Sequence, residues 1–180
     1  MLALTGWMRP LTTLFAGVVM FVATAPSAAQ APIDPTRRFR IASVASGMCW
    51  DVPNGVFRAG AVIQQYPCHD GENQQWAIHS IDAGINGGVI RSADNTNFCV
   101  TKNAADGLEL QVCVLRRGGS AAQLWRISGF GINRRLDRLT NVQNSECADV
   151  PGGSLTPATL QTFVCNNGAN QVWVLLPATP

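Results

Sequence analysis

The chain has 180 residues, a formal net charge of +2 and 13% charged residues, which suits one domain of ordinary size. Its one lysine is Lys102, and its arginines are scattered apart from the pairs Arg37-Arg38, Arg116-Arg117 and Arg134-Arg135. The concentrated basic stripe of a nucleic-acid-binding protein is missing, so nucleic acid is not expected as a partner.

Residues 1–29 read as an export signal. Arg9 precedes a mostly apolar run from Leu11 to Thr24, which ends in Pro26-Ser27-Ala28-Ala29, small residues suited to cleavage before Gln30. The run is shorter than the roughly 18 apolar residues that a spanning helix needs, and no other segment reads as a membrane span. The expected product is secreted or periplasmic. Residues 30–37, with Pro32 and Pro35, read as a flexible lead-in.

Strand-like alternation then begins at Phe39-Arg40-Ile41. Cys49-Trp50-Asp51-Val52-Pro53 follows, then the turn signal Asn54-Gly55, a strand over Ala61–Tyr66 closed by Pro67-Cys68, and a polar loop leading to Asn73-Gln74-Gln75-Trp76. The order repeats. Gly88–Arg91 opens a second unit, with Phe98-Cys99-Val100-Thr101, a strand over Leu108–Cys113, a loop with Gly118-Gly119-Ser120, and Gln123-Leu124-Trp125. A third unit opens around Arg138–Val142. It continues with Cys147-Ala148-Asp149-Val150-Pro151, the turn Gly152-Gly153, a strand over Thr159–Cys165, and Asn170-Gln171-Val172-Trp173.

Each unit thus ends in Q-x-W, and the three tryptophans, Trp76, Trp125 and Trp173, are 49 and 48 positions apart. In a strand, residues i and i+2 share a face, so each Gln and Trp is expected to point inward together. A unit of about 48 residues cannot bury a core alone, whereas three stacked units can. The turn spacing predicts about four short strands per unit, and so an all-β body of twelve strands with pseudo-threefold symmetry and the three tryptophans near its core. The units span about residues 38–81, 82–131 and 132–176. Each holds two of the six cysteines, which predicts the disulfides Cys49–Cys68, Cys99–Cys113 and Cys147–Cys165 in an exported chain. Zinc is not expected, because no closely spaced C-x-x-C pair exists.

Three Q-x-W tripeptides behind paired cysteines, with Cys-x-Asp-Val in two units, resemble the ricin B-type lectins and ricin-type carbohydrate-binding modules over roughly residues 38–176. The resemblance implies a β-trefoil. It also implies a sugar pocket in each equipped repeat: an Asp to take hydroxyls, an aromatic ring to stack on the sugar, and a Gln and an Asn to assist. A pyranose has an apolar C–H face and hydroxyl edges, which suits an aromatic platform beside a carboxylate. In the first repeat these residues are Asp51, Gln64, Tyr66 and Asn73, with Gln74 orienting Asp51 or the backbone. In the third they are Asp149, Gln161, Phe163, Asn170 and Gln171. The second has Thr101, Glu109, Gln111 and Ala122 at the same places and is expected to be structural only. Read singly, the aspartates also fit turns before Val-Pro, and Tyr66 and Phe163 also fit inward strand aromatics. Joint presence in two repeats with joint loss in the middle one is the pattern of a site.

His69 and His79 are the only histidines, and His69 reads as part of a solvated loop beside the first pocket. No repeat supplies the two facing carboxylates of a glycosidase, and no nucleophile or phosphate-loop motif occurs. The expectation is a non-enzymatic lectin without metal or cofactor, taking galactose-type or xylan-like glycans. The alternative is a cell-binding subunit that delivers a separate toxin or enzyme chain.

Overall fold

The computed structural model describes residues 36–80, 87–116, 119–127, 135–136 and 138–178. The expected export signal and most of the lead-in lie outside the described residues. The first repeat supplies strands β1 (Phe39–Ser43), β2 (Cys49–Asp51), β3 (Gln64–Tyr66) and β4 (Trp76–His79). The second supplies β5 (Gly87–Ser92), β6 (Phe98–Lys102), β7 (Leu108–Val112) and β8 (Leu124–Ile127). The third supplies β9 (Arg135–Leu136), β10 (Leu139–Asn141), β11 (Cys147–Asp149), β12 (Ala158–Thr159), β13 (Gln161–Phe163) and β14 (Trp173–Pro177). Among the described residues the only helical segments are three-residue 3-10 turns.

The fold is the all-β, pseudo-threefold body that the repeats predict and the β-trefoil that the resemblance implies, with fourteen described strands in place of twelve, because the third repeat divides two of its strands. The pairing closes on itself. β1 pairs with β4, β4 with β5, β5 with β8 and β8 with β10; the segment 135–141 also pairs, through β9, with β14, which returns to β1 over Phe39↔Pro177 to Ser43↔Trp173. The hairpins β2–β3, β6–β7 and β11–β13 project from this ring, one per repeat. The disulfides are Cys49–Cys68, Cys99–Cys113 and Cys147–Cys165, each closing a loop whose chain entropy corresponds to about 3 kcal/mol of stabilisation.

The interior is built around indoles. Trp76, Trp125 and Trp173 are buried, and each donates its Nε1–H to the carbonyl of the residue after the first cysteine of its own repeat: Trp50 at 3.1 Å, Val100 at 3.2 Å and Ala148 at 3.1 Å. Those three acceptor residues break the symmetry. Trp50 alone is large, and its ring meets the other three edge-on, with centroids 6.2, 6.5 and 5.3 Å away from Trp76, Trp125 and Trp173. A close-packed interior accommodates one bulky residue at a shared centre when its counterparts are small, as Val100 and Ala148 are.

The repeats are also tied by backbone. Ile63 donates to the carbonyl of Leu108 at 2.9 Å, Leu108 to Leu160 at 3.0 Å, and Leu160 to Ile63 at 2.8 Å. These three buried residues occupy equivalent positions, one in each repeat, so the bonds form a closed triangle between repeats. The triangle explains why the strands expected over Ala61–Tyr66 and Thr159–Cys165 are shorter than their sequence pattern. Ile63 and Leu160 turn their N–H groups away from their own hairpins, leaving Val62 with an isolated bridge to Glu109 and β12 separate from β13.

One expectation about the tripeptides needs correction. The glutamine and tryptophan of each Q-x-W are both buried, but they do not share a strand face. Gln74, Gln123 and Gln171 end the 3-10 turns Glu72–Gln74, Ala121–Gln123 and Ala169–Gln171, while Trp76 and Trp173 start strands. The chain turns between the two side chains, so the spacing of two does not reflect a pleat.

Because Trp50 touches all three partner indoles, Trp50→Ala is expected to destabilise the oxidised protein by about 3–5 kcal/mol, and Trp125→Ala by a similar amount. Urea denaturation followed by tryptophan fluorescence checks both values.

Candidate functional site

In each repeat the side-chain amide of the Q-x-W glutamine brackets the second cysteine. Gln74 donates through Nε2 to Pro67 O at 3.0 Å and accepts the His69 N–H at 2.9 Å, the residues on either side of Cys68. Gln123 does the same with Val112 O and Val114 N at 2.9 and 2.8 Å around Cys113. Gln171 does it with Val164 O and Asn166 N at 3.0 and 2.9 Å around Cys165. In the first and third repeats the same Nε2 carries a further bond to the aspartate that follows the first cysteine: Gln74 to Asp51 at 3.0 Å and Gln171 to Asp149 at 3.1 Å.

Two more amides complete the cradle. Asp51 accepts from Gln64 Nε2 on Oδ1 at 2.8 Å and from Asn73 Nδ2 on Oδ2 at 2.7 Å. Asp149 accepts from Gln161 Nε2 at 2.9 Å and from Asn170 Nδ2 at 2.6 Å on the same two oxygens. Asn73 and Asn170 also donate to the carbonyls of Val52 and Val150, both at 3.1 Å, so their amide hydrogens are fully used, and their Oδ1 atoms lie beside Gly71 and Gly168. Both aspartates are only 2% exposed. The register pairs Asp51 with Gln64 and Cys49 with Tyr66, and likewise Asp149 with Gln161 and Cys147 with Phe163. Strand alternation therefore puts Gln and ring on one side. Tyr66 is 43% and Phe163 49% exposed, so neither is an inward core aromatic.

Asp51, Gln64, Tyr66 and Asn73 line one open depression of about 410 Å³, together with Pro53, Asn54 and His69. Asp149, Gln161, Phe163 and Asn170 line another of about 370 Å³, with Gly152, Gly153 and Asn166. Gln74 and Gln171 lie behind the carboxylates rather than on the walls. Proline followed by left-handed residues, Asn54 (φ 56°) and Gly55, or Gly152 (φ 61°) and Gly153, folds the opposite wall inward. Asn tolerates that conformation better than most residues with a side chain. The turn expected at Asn54-Gly55 is present. The turn is a pocket wall at the start of a long connection from β2 to β3.

Two more residues stand on the walls: His69, expected in a loop beside the first pocket, and Asn166, which the sequence reading missed. His69 and Asn166, each just after the second cysteine, accept the N–H of Gly71 and Gly168 through Nδ1 at 3.0 Å and Oδ1 at 2.8 Å. With Nδ1 occupied as an acceptor, neutral His69 carries its proton on Nε2, which faces Asp51 Oδ2 at 3.6 Å. Gly71 and Gly168 leave no room for a Cβ, which would collide with the Oδ1 of Asn73 or Asn170. The legible signal was Gly-x-Asn-Gln, present as Gly71–Gln74 and Gly168–Gln171. It is replaced by Ser120-Ala121-Ala122-Gln123, where no Asn needs the space.

The second repeat has no cradle. The Thr101 hydroxyl bonds the Cys99 carbonyl at 3.1 Å, and Glu109 is occupied by Asn103 Nδ2 at 3.0 Å and Gln111 Nε2 at 2.6 Å. Its Gln123 and Trp125 keep their scaffold bonds. A carboxylate has about four acceptor positions, and three amides fill all but one. Each equipped pocket therefore offers one charge-assisted acceptor, amide side chains on its walls and a half-exposed ring. This combination suits a ligand with hydroxyl edges and an apolar face. Among the described residues no group of His, Cys, Asp and Glu is placed to hold a metal ion, and no helix is long and apolar enough to cross a membrane.

The family described as ricin-type beta-trefoil lectin domain-like matches residues 32–113 and 121–180. Beta-galactoside-specific lectin 2 of Viscum album is 30% identical over 135 residues, covering 72% of this chain. The chain spans 21% of that relative's length. Among solved structures, the Macrolepiota procera ricin B-like lectin in complex with lactose superposes with a TM-score of 0.58 at 22% identity, over 82% of this chain and 99% of that one. A mosquitocidal holotoxin superposes with a TM-score of 0.66 at 17% identity, over 79% of this chain and 17% of that one.

Removing a cradle carboxylate strands three amide donors. Asp51→Ala is therefore expected to lower stability by about 1–3 kcal/mol while leaving a folded, oxidised protein. Thr101→Ala, which loses one bond within its own strand, is expected to cost about 1 kcal/mol or less. Chemical denaturation of both variants measures the contrast.

Proposed function

The chain belongs to the ricin-type β-trefoil lectin family, and we propose on that premise that it is a secreted sugar-binding module with two pockets, around Asp51 and around Asp149. One observation carries the reading. The three-amide cradle with its exposed ring recurs in the first and third repeats and is missing from the second, whose scaffold bonds are intact. A fold that stands without the cradle in one repeat does not need it in the others, so its purpose lies outside the fold.

In this reading the sugar's apolar face stacks on Tyr66 or Phe163. One hydroxyl donates to the open acceptor position of Asp51 or Asp149, and a neighbouring hydroxyl meets the amide side chains of Gln64 and Asn73, or of Gln161 and Asn170. Tyr66 adds a phenolic hydroxyl that Phe163 lacks, so the first pocket makes the richer contact. Galactose-type sugars are favoured over xylan-like ones by the β-galactoside specificity and the lactose named for two relatives. Each open pocket lines up a single carboxylate, short of the pair that glycoside hydrolysis uses, so the module binds without cleaving. A single shallow site is expected to bind with Kd on the order of 1 mM, or about −4 kcal/mol, and two sites on one rigid body raise apparent affinity on a dense glycan surface.

The proposed layout is an export signal over residues 1–29, a lead-in over 30–37 and the lectin domain over 38–176. Three disulfides accord with an oxidising compartment outside the cytosol. The second reading, a cell-binding module attached to or paired with a toxin or enzyme, draws on the similarity to a holotoxin of which this chain spans a small share. It predicts a stable complex with another exported chain, visible by gel filtration.

A glycan array with the intact oxidised chain tests the main reading, and absence of binding to any glycan sinks it. Asp51→Ala and Asp149→Ala are each expected to reduce retention on immobilised galactosides, and together to abolish it, while Thr101→Ala leaves it unchanged. Equal damage from Thr101→Ala would overturn the assignment of the second repeat.

A further inference from the structure

Next to the first-repeat pocket lies a second open depression of about 260 Å³, and the two share Pro53 and Asn54 as a common wall. Its other sides come from the connection between β2 and β3: Val56, Arg58, Gly60, Ala61 and Val62. Arg58 is exposed, and its side chain has no hydrogen-bond or ion-pair partner among the described residues. Arg40, in contrast, is paired with Asp70 at 3.1 Å and Lys102 with Asp106 at 2.6 Å. The backbone beneath Arg58 is anchored. Its carbonyl accepts the Ala61 N–H at 3.1 Å, and Gly60, left-handed at φ 77°, donates to Leu110 O in the second repeat at 2.8 Å. Val56 and Val62, 50% and 43% exposed, add apolar surface to the depression that Arg58 lines.

We propose that this depression is a subsite for an anionic sugar residue, bearing a carboxylate or a sulfate ester, joined glycosidically to the sugar held against Asp51. The proposal rests on the first-repeat pocket being a sugar site. A free guanidinium on a fixed backbone offers planar, bidentate recognition of such groups, and the two valines suit the C–H face or a methyl group of the same residue. The carboxylates around it do not compensate it. Asp51 lies across the shared wall within its amide cradle, and Glu109, opposite Val62, is taken by Asn103 and Gln111. The third repeat provides an internal contrast. Its corresponding connection, Gly152-Gly153-Ser154-Leu155-Thr156-Pro157, carries no charged residue, so the Asp149 pocket takes neutral glycans without this preference.

The test uses the oxidised full domain with Asp149→Ala, which confines binding to the first pocket, and titrates lactose, a sialylated lactose and a lactose sulfate calorimetrically at low salt. The anionic ligands are expected to bind about fivefold more tightly than lactose, the scale of one exposed charge pair, and the advantage shrinks as salt is raised. Adding Arg58→Ala is expected to bring them level with lactose while lactose affinity stays unchanged. A gain for the sialylated ligand alone identifies a carboxylate subsite, and a gain for the sulfated one alone a sulfate-ester subsite. Lactose binding with no anionic preference, or a preference that survives Arg58→Ala, overturns the subsite alone. Failure of all three ligands to bind overturns the galactose-type reading of the pocket together with it.

Discussion

The structure depends on an amide that behaves as a missing piece of strand. In each repeat the glutamine of Q-x-W donates to the carbonyl before the second cysteine and accepts the N–H after it, two bonds that a neighbouring backbone would otherwise have made. The tryptophan two places on ties the segment around the first cysteine by a bond to its carbonyl. The disulfide then joins the two segments covalently. A short, loop-rich repeat thus fixes both ends of its hairpin with two side chains and one sulfur bridge. These bonds serve polar groups that burial would otherwise strand, at a cost of about 1–3 kcal/mol each.

The proposed binding site is added to this clamp at little structural distance. The Nε2 of Gln74 and Gln171 reaches one atom further, to a carboxylate, and so couples scaffold to pocket. The second repeat has the same clamp without the carboxylate, because Thr101 turns its hydroxyl back to its own strand. Pocket residues vary as a group, whereas clamp residues do not vary among the three repeats. The motif that marks the repeat is accordingly a guide to architecture, and the Gly-x-Asn before it is the better guide to the site.

Much of this was legible in the residues. The spacing of Trp76, Trp125 and Trp173 gave the threefold plan, the cysteines sorted by repeat, and the pocket sets around Asp51 and Asp149 gather as expected, with Gln74 and Gln171 behind them. What escaped had physical reasons. The period-two reading of Q-x-W failed because a 3-10 turn ends between the two side chains, and a spacing of two alone does not distinguish turn from pleat. Trp50 looked like one residue of a strand. Its place among three indoles is a product of symmetry, which gathers residues far apart in sequence. The aspartates, read singly, also fitted turns before Val-Pro; they are buried because three amides from separate segments close over them. His69 read as a solvated loop residue, since nothing local reveals that its ring faces Asp51.

The triangle of Ile63, Leu108 and Leu160 has a consequence for how the protein comes into being. Each member donates to one repeat and accepts from another, so no two repeats can complete it. The residues that follow them are Gln64, Glu109 and Gln161, two of which are pocket walls. A chain emerging N-terminus first has all the residues of the Asp51 pocket early, yet the backbone next to Gln64 lacks its partner until Leu160 arrives. A chain that ends before the third repeat leaves the Ile63 carbonyl and the Leu108 N–H without these partners. The wall of the first pocket is thus held in place by residues from the last third of the polypeptide.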